Sequence, residues 1–508
     1  MPAGLAWRLL QASQEGPVQI LGLGRYGKTI MYDETLELLI DGVFCQGSDG
    51  QSEELINPAS EEVLGRVPHA SIADLDRALA ASAKGFAVWK AMTAQARYLI
   101  MMKAAQLIDE RKERIGRILT LENGKPLGEA VIEVGFAAEV TRFYAEEGKR
   151  AYGRIIASRL PGVRQMVVKE PVGPVIAFAA WNFPASNVIR KISGALGAGC
   201  SIIVKPAEET PGTAIALARC FREAGLPAGV LNVVFGKPAE ISAYLIASPI
   251  PKKVTLTGST AVGKLLQKQA ADTLKRCTME LGGHSPVIVH ADADLDQATT
   301  ALVAAKFRNA GQVCTSPTRF FVHESRYGAF VDGFVEKARA IRLGSGLDAD
   351  TQMGPMIARR RLDVMEALVE DAVACGATLK LGGRRTGNRG WFFEPTVLSD
   401  MPEHARIMSE EPFGPIAPIS SFSSFDEVVE RANALPYGLA SFVFTQNLSL
   451  ASRTEAALNA GLVGVNHTAI STPDTPFGGV NESGYGSESG TEGLEAFLRT
   501  KFVSELSL

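Results

Sequence analysis

Two residues in this chain are of types that could carry covalent catalysis together. Cys314 stands behind a glycine turn in Gly311-Gln312-Val313-Cys314-Thr315-Ser316, and Glu280 precedes a pair of glycines in Met279-Glu280-Leu281-Gly282-Gly283. A cysteine thiolate adds to an electrophilic carbon, and a nearby carboxylate can activate the water that releases the adduct. Taken singly, each has a plainer use. A lone cysteine is commonly a small buried apolar side chain, and a glutamate before glycines can be a helix cap or a surface ion-pair partner. Gly311 before the cysteine, Arg319 after it and Glu280 upstream favour the nucleophile.

Further motifs are spaced around this pair. They are Trp181-Asn182-Phe183-Pro184, Lys205-Pro206-Ala207-Glu208, Gly258-Ser259-Thr260-Ala261-Val262-Gly263 and Glu411-Pro412-Phe413-Gly414-Pro415. In this order and spacing the set resembles the aldehyde dehydrogenase superfamily, from about Glu34 to about Val503. The resemblance implies an α/β fold with two doubly wound parallel-sheet domains, one binding cofactor and one catalytic, plus a small β oligomerisation element. It divides the chain into an N-terminal extension (1–33), an NAD-binding domain (34–152 and 172–284), an oligomerisation element (153–171 and 485–508) and a catalytic domain (285–484). A homodimer or homotetramer is the implied assembly.

Oxidation of an aldehyde by hydride transfer first needs a tetrahedral adduct, which a Cys314 thiolate would supply. By the resemblance, the Asn182 amide and the Cys314 backbone N–H hold the oxyanion; otherwise Asn182 would be a turn residue before Phe183-Pro184. Glu280 would activate the deacylating water, and burial would raise its pKa toward neutrality. The branch of the family that passes its acyl group to coenzyme A usually lacks this glutamate, so release of a free acid is expected. The Gly258, Ser259 and Gly263 turn can meet a pyrophosphate at a helix N-terminus, although an ordinary strand-to-helix turn looks the same. Trp181, Lys205 and Glu208 complete the cofactor contacts, and the Glu208 carboxylate suits a ribose diol better than a 2′-phosphate, which predicts NAD. Glu411 would hold the nicotinamide ribose, with Phe413 packed nearby.

For substrate, Arg190 and Arg308 fall at positions where the resembling succinate-semialdehyde and 2-oxoglutarate-semialdehyde dehydrogenases bind a distal carboxylate. Paired guanidinium groups suit that ligand, whereas solvated helix arginines are the bland alternative. Asn187, Ser471 and Thr472 could face the same pocket. Stretches such as Gly162-Val163-Arg164-Gln165 and Ser483-Gly484-Tyr485-Gly486 most resemble the 2-oxoglutarate-semialdehyde enzymes, with succinate semialdehyde or a broad aldehyde range as the alternative. Ala179-Ala180 stands before Trp181 where a threonine-proline pair is common, and no second cysteine adjoins Cys314 to form a redox switch. A cysteine esterase would not need Lys205, Glu208 and Glu411, and an inactive scaffold would be expected to have lost a member of the set.

The elements that must position these residues are legible as patterns. Apolar residues recur at helical spacing from Ile72 to Arg117. After Tyr152, short buried-strand runs at 175–178, 201–205, 231–234 and 253–256 each precede a helix-like segment, the signature of a parallel sheet. Ser285–His290 opens a second α/β region, and 497–508 alternates like an edge strand. With 508 residues, two or three domains are required. A net charge of −3, 46% hydrophobic and 21% charged residues give no electrostatic case for nucleic acid or an anionic membrane. Six scattered cysteines and six histidines form no zinc or disulfide pattern, so a metal-free cytoplasmic protein is expected. Gly22-Leu23-Gly24-Arg25-Tyr26-Gly27-Lys28-Thr29 matches two nucleotide-loop patterns. It lacks the surrounding α/β unit and reads as coincidence.

Overall fold

The computed structural model describes residues Tyr32–Leu506; the Gly22–Thr29 motif lies outside them. Five β-branched segments pair in parallel in the order Leu231–Val233, Ile202–Lys205, Val175–Phe178, Lys253–Thr257, Arg276–Glu280. Their nearly continuous burial follows from helices covering both faces. The strand order reverses between Val175–Phe178 and Lys253–Thr257, so the loops leaving the carboxyl ends of these strands splay apart there. That crevice is where doubly wound sheets bind ligands. The antiparallel strands Leu38–Ile40 and Val43–Cys45 extend one edge, and Gly484–Tyr485 extends the other.

A second sheet of seven strands runs in the order Thr378–Leu381, Thr396–Ser399, Ile416–Phe422, Pro317–His323, Ser285–Val289, Ala440–Phe444, Leu462–Val465. Its core is packed with Phe307, Phe320, Phe330 and Phe334. Cys314 immediately precedes Pro317–His323, and Glu411 precedes Ile416–Phe422. The amino ends of this sheet therefore supply residues to a site that the first sheet serves from its carboxyl ends. A third sheet joins Arg154–Ile156, Val163–Pro171 and Leu498–Leu506, with the last as an edge strand. Within 485–508, the segment Gly490–Glu495 is helical.

The expected helical region resolves into Ile72–Ala91, Ala94–Glu110 and Lys112–Asn123. Ser71 and Asp74 close a capping box on the first of these, and Thr93 caps the second. Leu127–Gly148 then packs against Pro184–Ala198, a helix buried along its whole length. Pro184 starts that helix, and Gly199, at φ 93°, ends it. No helix among the described residues is long and apolar enough to cross a membrane.

Gly484 fixes Glu280 through the edge pairing Glu280↔Gly484. At φ +115°, a Cβ here would stand 1.8 Å from the Met279 carbonyl oxygen. Gly484→Ala should therefore cost about 3 kcal/mol or more, from backbone overlap added to a disfavoured φ. A lowered denaturation midpoint is the expected result; an unchanged midpoint would contradict this register.

Candidate active site

The helix Leu295–Phe307 ends in a loop whose backbone is forced into the left-handed region at three successive residues: Asn309 (φ 48°), Ala310 (φ 53°) and Gly311 (φ 72°). Such conformations persist only where surrounding contacts hold them. Asn309 donates its backbone N–H to Glu129 Oε2 at 3.1 Å and its amide to the carbonyls of Asn182 and Gln312 at 2.9 and 3.2 Å. At Gly311 a Cβ would lie 2.1 Å from the Gly414 carbonyl oxygen, so the Glu411–Pro415 loop presses directly on this turn. The turn delivers Cys314, half-buried, into a cavity.

Burial, followed by the charge of Glu411, pushes the Cys314 thiol up to about 12, against the opposing influence of Arg190. Burial thus favours the thiol over the thiolate in this setting. Glu280 ends the strand Arg276–Glu280, is 2% exposed, and neither carboxylate oxygen has a hydrogen-bond partner. Desolvation, followed by the charge of Glu488, raises its pKa well above 4.5. Gly478 leaves room for it, since a Cβ there would stand 3.3 Å from Glu280 Oε1.

Asn182 is buried beside the Cys314 loop. Its Nδ2 donates to the Gln312 carbonyl at 3.2 Å, and its Oδ1 accepts from Asn187 Nδ2 at 3.1 Å. One Nδ2 hydrogen is thus engaged, and the amide carries a second.

The residues expected to hold the cofactor follow the carboxyl ends of the first sheet. Ser259 caps the helix Thr260–Ala271 and accepts from Val262 N, leaving an N-terminus suited to an anion. Gly263 is packed so closely on Leu281 that a Cβ would lie 2.5 Å from its side chain, and Gly258 N–H bonds the Glu280 carbonyl at 3.0 Å. Lys205 pairs with Glu208 at 2.5 Å, and Glu208 also accepts from Gly236 N–H at 3.2 Å. Trp181 meets Phe413 edge to face at 5.5 Å. Glu411, raised to about 8 by burial, lies against Gly282, where a Cβ would come within 2.6 Å of its Oε2. A crevice at the switch point, a helix N-terminus and a carboxylate pocket fit a dinucleotide.

The cavity of about 320 Å³ is lined by Cys314, Glu280, Asn187, Arg190, Arg308 and Ser471 among others. Arg190 is buried, donates to Ser471 Oγ at 2.6 Å and lies over the Phe477 ring at 4.4 Å; its Nε has no partner. Arg308 is exposed at the mouth, 5.1 Å from the Phe183 ring centroid. Thr472 does not join them. Its hydroxyl bonds Thr475 at 2.9 Å within their own exposed loop, because the three-residue spacing closes a local turn.

Sequence reasoning missed the ion pair of Lys191 with Glu488 beside Glu280. Lys191 also donates to Thr257 Oγ1 at 2.7 Å. Glu488 sits in Gly486-Ser487-Glu488-Ser489-Gly490, which reads as an exposed polar loop. Only its pairing with Phe477, through two backbone hydrogen bonds, turns it inward. Phe136, on the pocket wall, was missed as well.

A carboxyl whose folded pKa is raised penalises the fold when ionised. For Glu280 the penalty is full above its folded pKa and gone below the unfolded value near 4.5. Glu280→Gln should therefore raise the melting temperature by a few degrees at pH 8, with the gap closing as pH falls toward 4.5. A gap that widens toward acid would reverse the assignment.

Comparison with known proteins agrees with this geometry. The family model described as aldehyde dehydrogenase family matches residues 44–503. A 4-(hydroxymethyl)benzenesulfonate dehydrogenase of Comamonas testosteroni is 46% identical over 475 residues, 94% of this chain and 99% of that one. The crystal structure of a succinate-semialdehyde dehydrogenase from Burkholderia pseudomallei superposes with a TM-score of 0.92 at 39% identity, covering 95% of this chain and 100% of the other. An NADP-dependent enzyme of E. coli superposes with a TM-score of 0.92 at 38% identity, covering 93% and 98%. The family match over residues 44–503, together with 46% identity to a relative across 94% of the chain, shows that this chain belongs to the aldehyde dehydrogenase family.

Proposed function

We propose that the chain oxidises an aldehyde bearing a distal anionic group, with NAD as hydride acceptor, and releases the free acid. The observation that carries this reading is the placement of Cys314, Glu280, Arg190 and Arg308 around a single cavity.

Cys314 Sγ releases its proton to solvent and, as thiolate, bonds to the aldehyde carbon, while the carbonyl electron pair moves to oxygen. The Asn182 amide and the Cys314 N–H receive that oxyanion. When bound by Lys205, Glu208 and Glu411, a nicotinamide would take the hydride that leaves the thiohemiacetal carbon as the oxyanion re-forms the C=O bond, and the acyl group would remain on Cys314 as a thioester. Glu280 then takes a proton from water, whose oxygen adds to the acyl carbon. The C–S bond breaks, and Cys314 leaves as thiolate. Lys191, paired with Glu488, keeps that neighbouring carboxylate compensated while Glu280 cycles between charged and neutral forms.

NAD is favoured over NADP by Glu208. Its carboxylate is already held by Lys205 and Gly236 and would face a 2′-phosphate with like charge. Among substrates, 2-oxoglutarate semialdehyde is the first reading and succinate semialdehyde the alternative; the unpartnered Arg190 Nε supports a carboxylate in either. A second reading has its own support. Phe136, Phe183 and Phe477 line the cavity, and the relative at 46% identity is named for a benzenesulfonate, so an aryl sulfonate aldehyde would also place an anion against Arg190. Phe502 and Leu506 are exposed on one face of the three-stranded sheet, a face suited to a second copy in a homodimer or homotetramer. Six free cysteines suit a reducing cytoplasm.

Following NADH formation tests these assignments. Cys314→Ala should abolish turnover, and wild-type rates from that variant would refute the nucleophile. Arg308→Ala should raise KM for 2-oxoglutarate semialdehyde, succinate semialdehyde or 4-formylbenzenesulfonate by about three- to fivefold, the scale of an exposed charge, while the KM for a neutral aldehyde stays unchanged. Whichever anionic substrate gives the highest kcat/KM identifies the class, and equal losses on charged and neutral aldehydes would remove Arg308 from recognition.

A further inference from the structure

The main chain at Asn182 is held by a side-chain clamp of its own. The segment Asn123-Gly124-Lys125 links the helices Lys112–Asn123 and Leu127–Gly148, and Gly124 turns it at φ 93°. Asn123 Nδ2 donates to the Trp181 carbonyl at 3.0 Å. Lys125 Nζ donates to the next carbonyl, that of Asn182, at 2.9 Å, where Asn309 Nδ2 adds a second bond. Two consecutive peptide units are thus gripped from one three-residue turn.

Lys125 is wholly buried, and its ammonium lies 4.0 Å from the Phe183 ring centroid. Its charge is met by Glu133 Oε2 at 2.7 Å. The other oxygen of Glu133 accepts from Ala185 N–H and Ser186 N–H at 2.9 and 3.1 Å. Those are first-turn donors of the helix Pro184–Ala198, whose own N-cap residue, Phe183, offers no capping side chain. A single ion pair therefore ties the chain on both sides of Asn182: the ammonium before Phe183 and the carboxylate after Pro184. Buried ion pairs generally contribute little to stability compared with apolar side chains of the same shape. The direction and number of bonds made here point to geometric precision instead.

We propose that Lys125 is a positioning residue for the oxidation: held by Glu133, it fixes the Asn182 peptide so that the Asn182 amide meets the oxyanion formed on Cys314. This rests on the assignment of Asn182 as oxyanion donor.

The test is a double-mutant cycle on the rate of the NADH burst, using the full-length enzyme with NAD and succinate semialdehyde. Asn182→Ala alone should slow the burst on the order of a hundredfold or more, as loss of an oxyanion donor does. Lys125→Met alone should slow it about ten- to a hundredfold, the effect of a displacement of about 1 Å at the reacting centre, with the dissociation constant for NAD unchanged. In the Asn182→Ala background, Lys125→Met should cost less than about twofold, because its route of action is already gone. An equal loss in both backgrounds would mean general distortion and overturn the proposal, as would a full wild-type burst from Lys125→Met. A full burst from Asn182→Ala would instead overturn the oxyanion assignment, an outcome read without touching Lys125. Should Lys125→Met fail to fold, the uncharged pair K125M/E133Q enters the same cycle. Asn123→Ala supplies an independent arm, with the same expected collapse of its effect when Asn182 is absent.

Discussion

The carboxyl group of Glu280 is buried with neither oxygen hydrogen-bonded, and much of the surrounding structure makes sense as what keeps it there. A carboxylate removed from water without partners is held toward its neutral form. That is unfavourable for the fold and useful for a base that must collect a proton near neutrality. The group stays in place because its backbone is locked on both sides: in parallel to Thr257, in the strand Lys253–Thr257, and in antiparallel to Gly484. The glycines at 478 and 484 bring chain segments closer than any side chain would allow.

Two sheets approach the site from opposite polarities. Carboxyl ends of the first deliver Trp181–Asn182, Lys205–Glu208, Gly258–Gly263 and Glu280–Gly283, because the loops of a doubly wound sheet gather where its strand order reverses. Amino ends of the second deliver Cys314 and Glu411. The two sets interlock through backbone rather than surface contact. Asn182 reaches the Gln312 carbonyl, and a Cβ on Gly283 would sit 3.1 Å from the Cys314 carbonyl oxygen. The proposed nucleophile, Cys314, and the proposed base, Glu280, therefore come from different sheets, which lets each be set by its own rigid frame.

This division explains what was legible in the sequence. Cys314, Glu280 and Asn182 announce themselves because each lies in a short local pattern, and the strands do so because burial on both faces demands β-branched runs. The Arg276–Glu280 strand is less plain, since its outer residues are polar and its burial comes from the distant Gly484–Tyr485. Glu488 and Lys125 are illegible for a related reason. Each is a charged residue near glycines, a composition that reads as solvent-exposed turn, and its interior place shows only in the ion pair it makes, Glu488 with the distant Lys191 and Lys125 with Glu133 on the next helix. Thr472 shows the converse: a hydroxyl near the right loop, satisfied locally by Thr475 before it can serve the pocket.

The proposed recognition of an anion rests on the unequal settings of the two arginines. Arg190 is buried, its guanidinium sandwiched by Phe136 and Phe477, with one edge on Ser471 and an unpaired Nε left over. In such a setting a charge-assisted bond is stronger than in water, and an unmet donor penalises any ligand that fails to supply an acceptor. Arg308 is exposed at the mouth, where solvent screens its charge; it contributes more to drawing an anion in than to holding it. On the proposed reading, the inner arginine, carried on the buried helix Pro184–Ala198, is the one that measures the distance between a substrate's anionic group and its aldehyde. Selection among anionic aldehydes is then a matter of reach and rigidity. A flexible aliphatic chain must lose rotational freedom to span the gap, whereas a planar ring between Phe136, Phe183 and Phe477 has far less to lose.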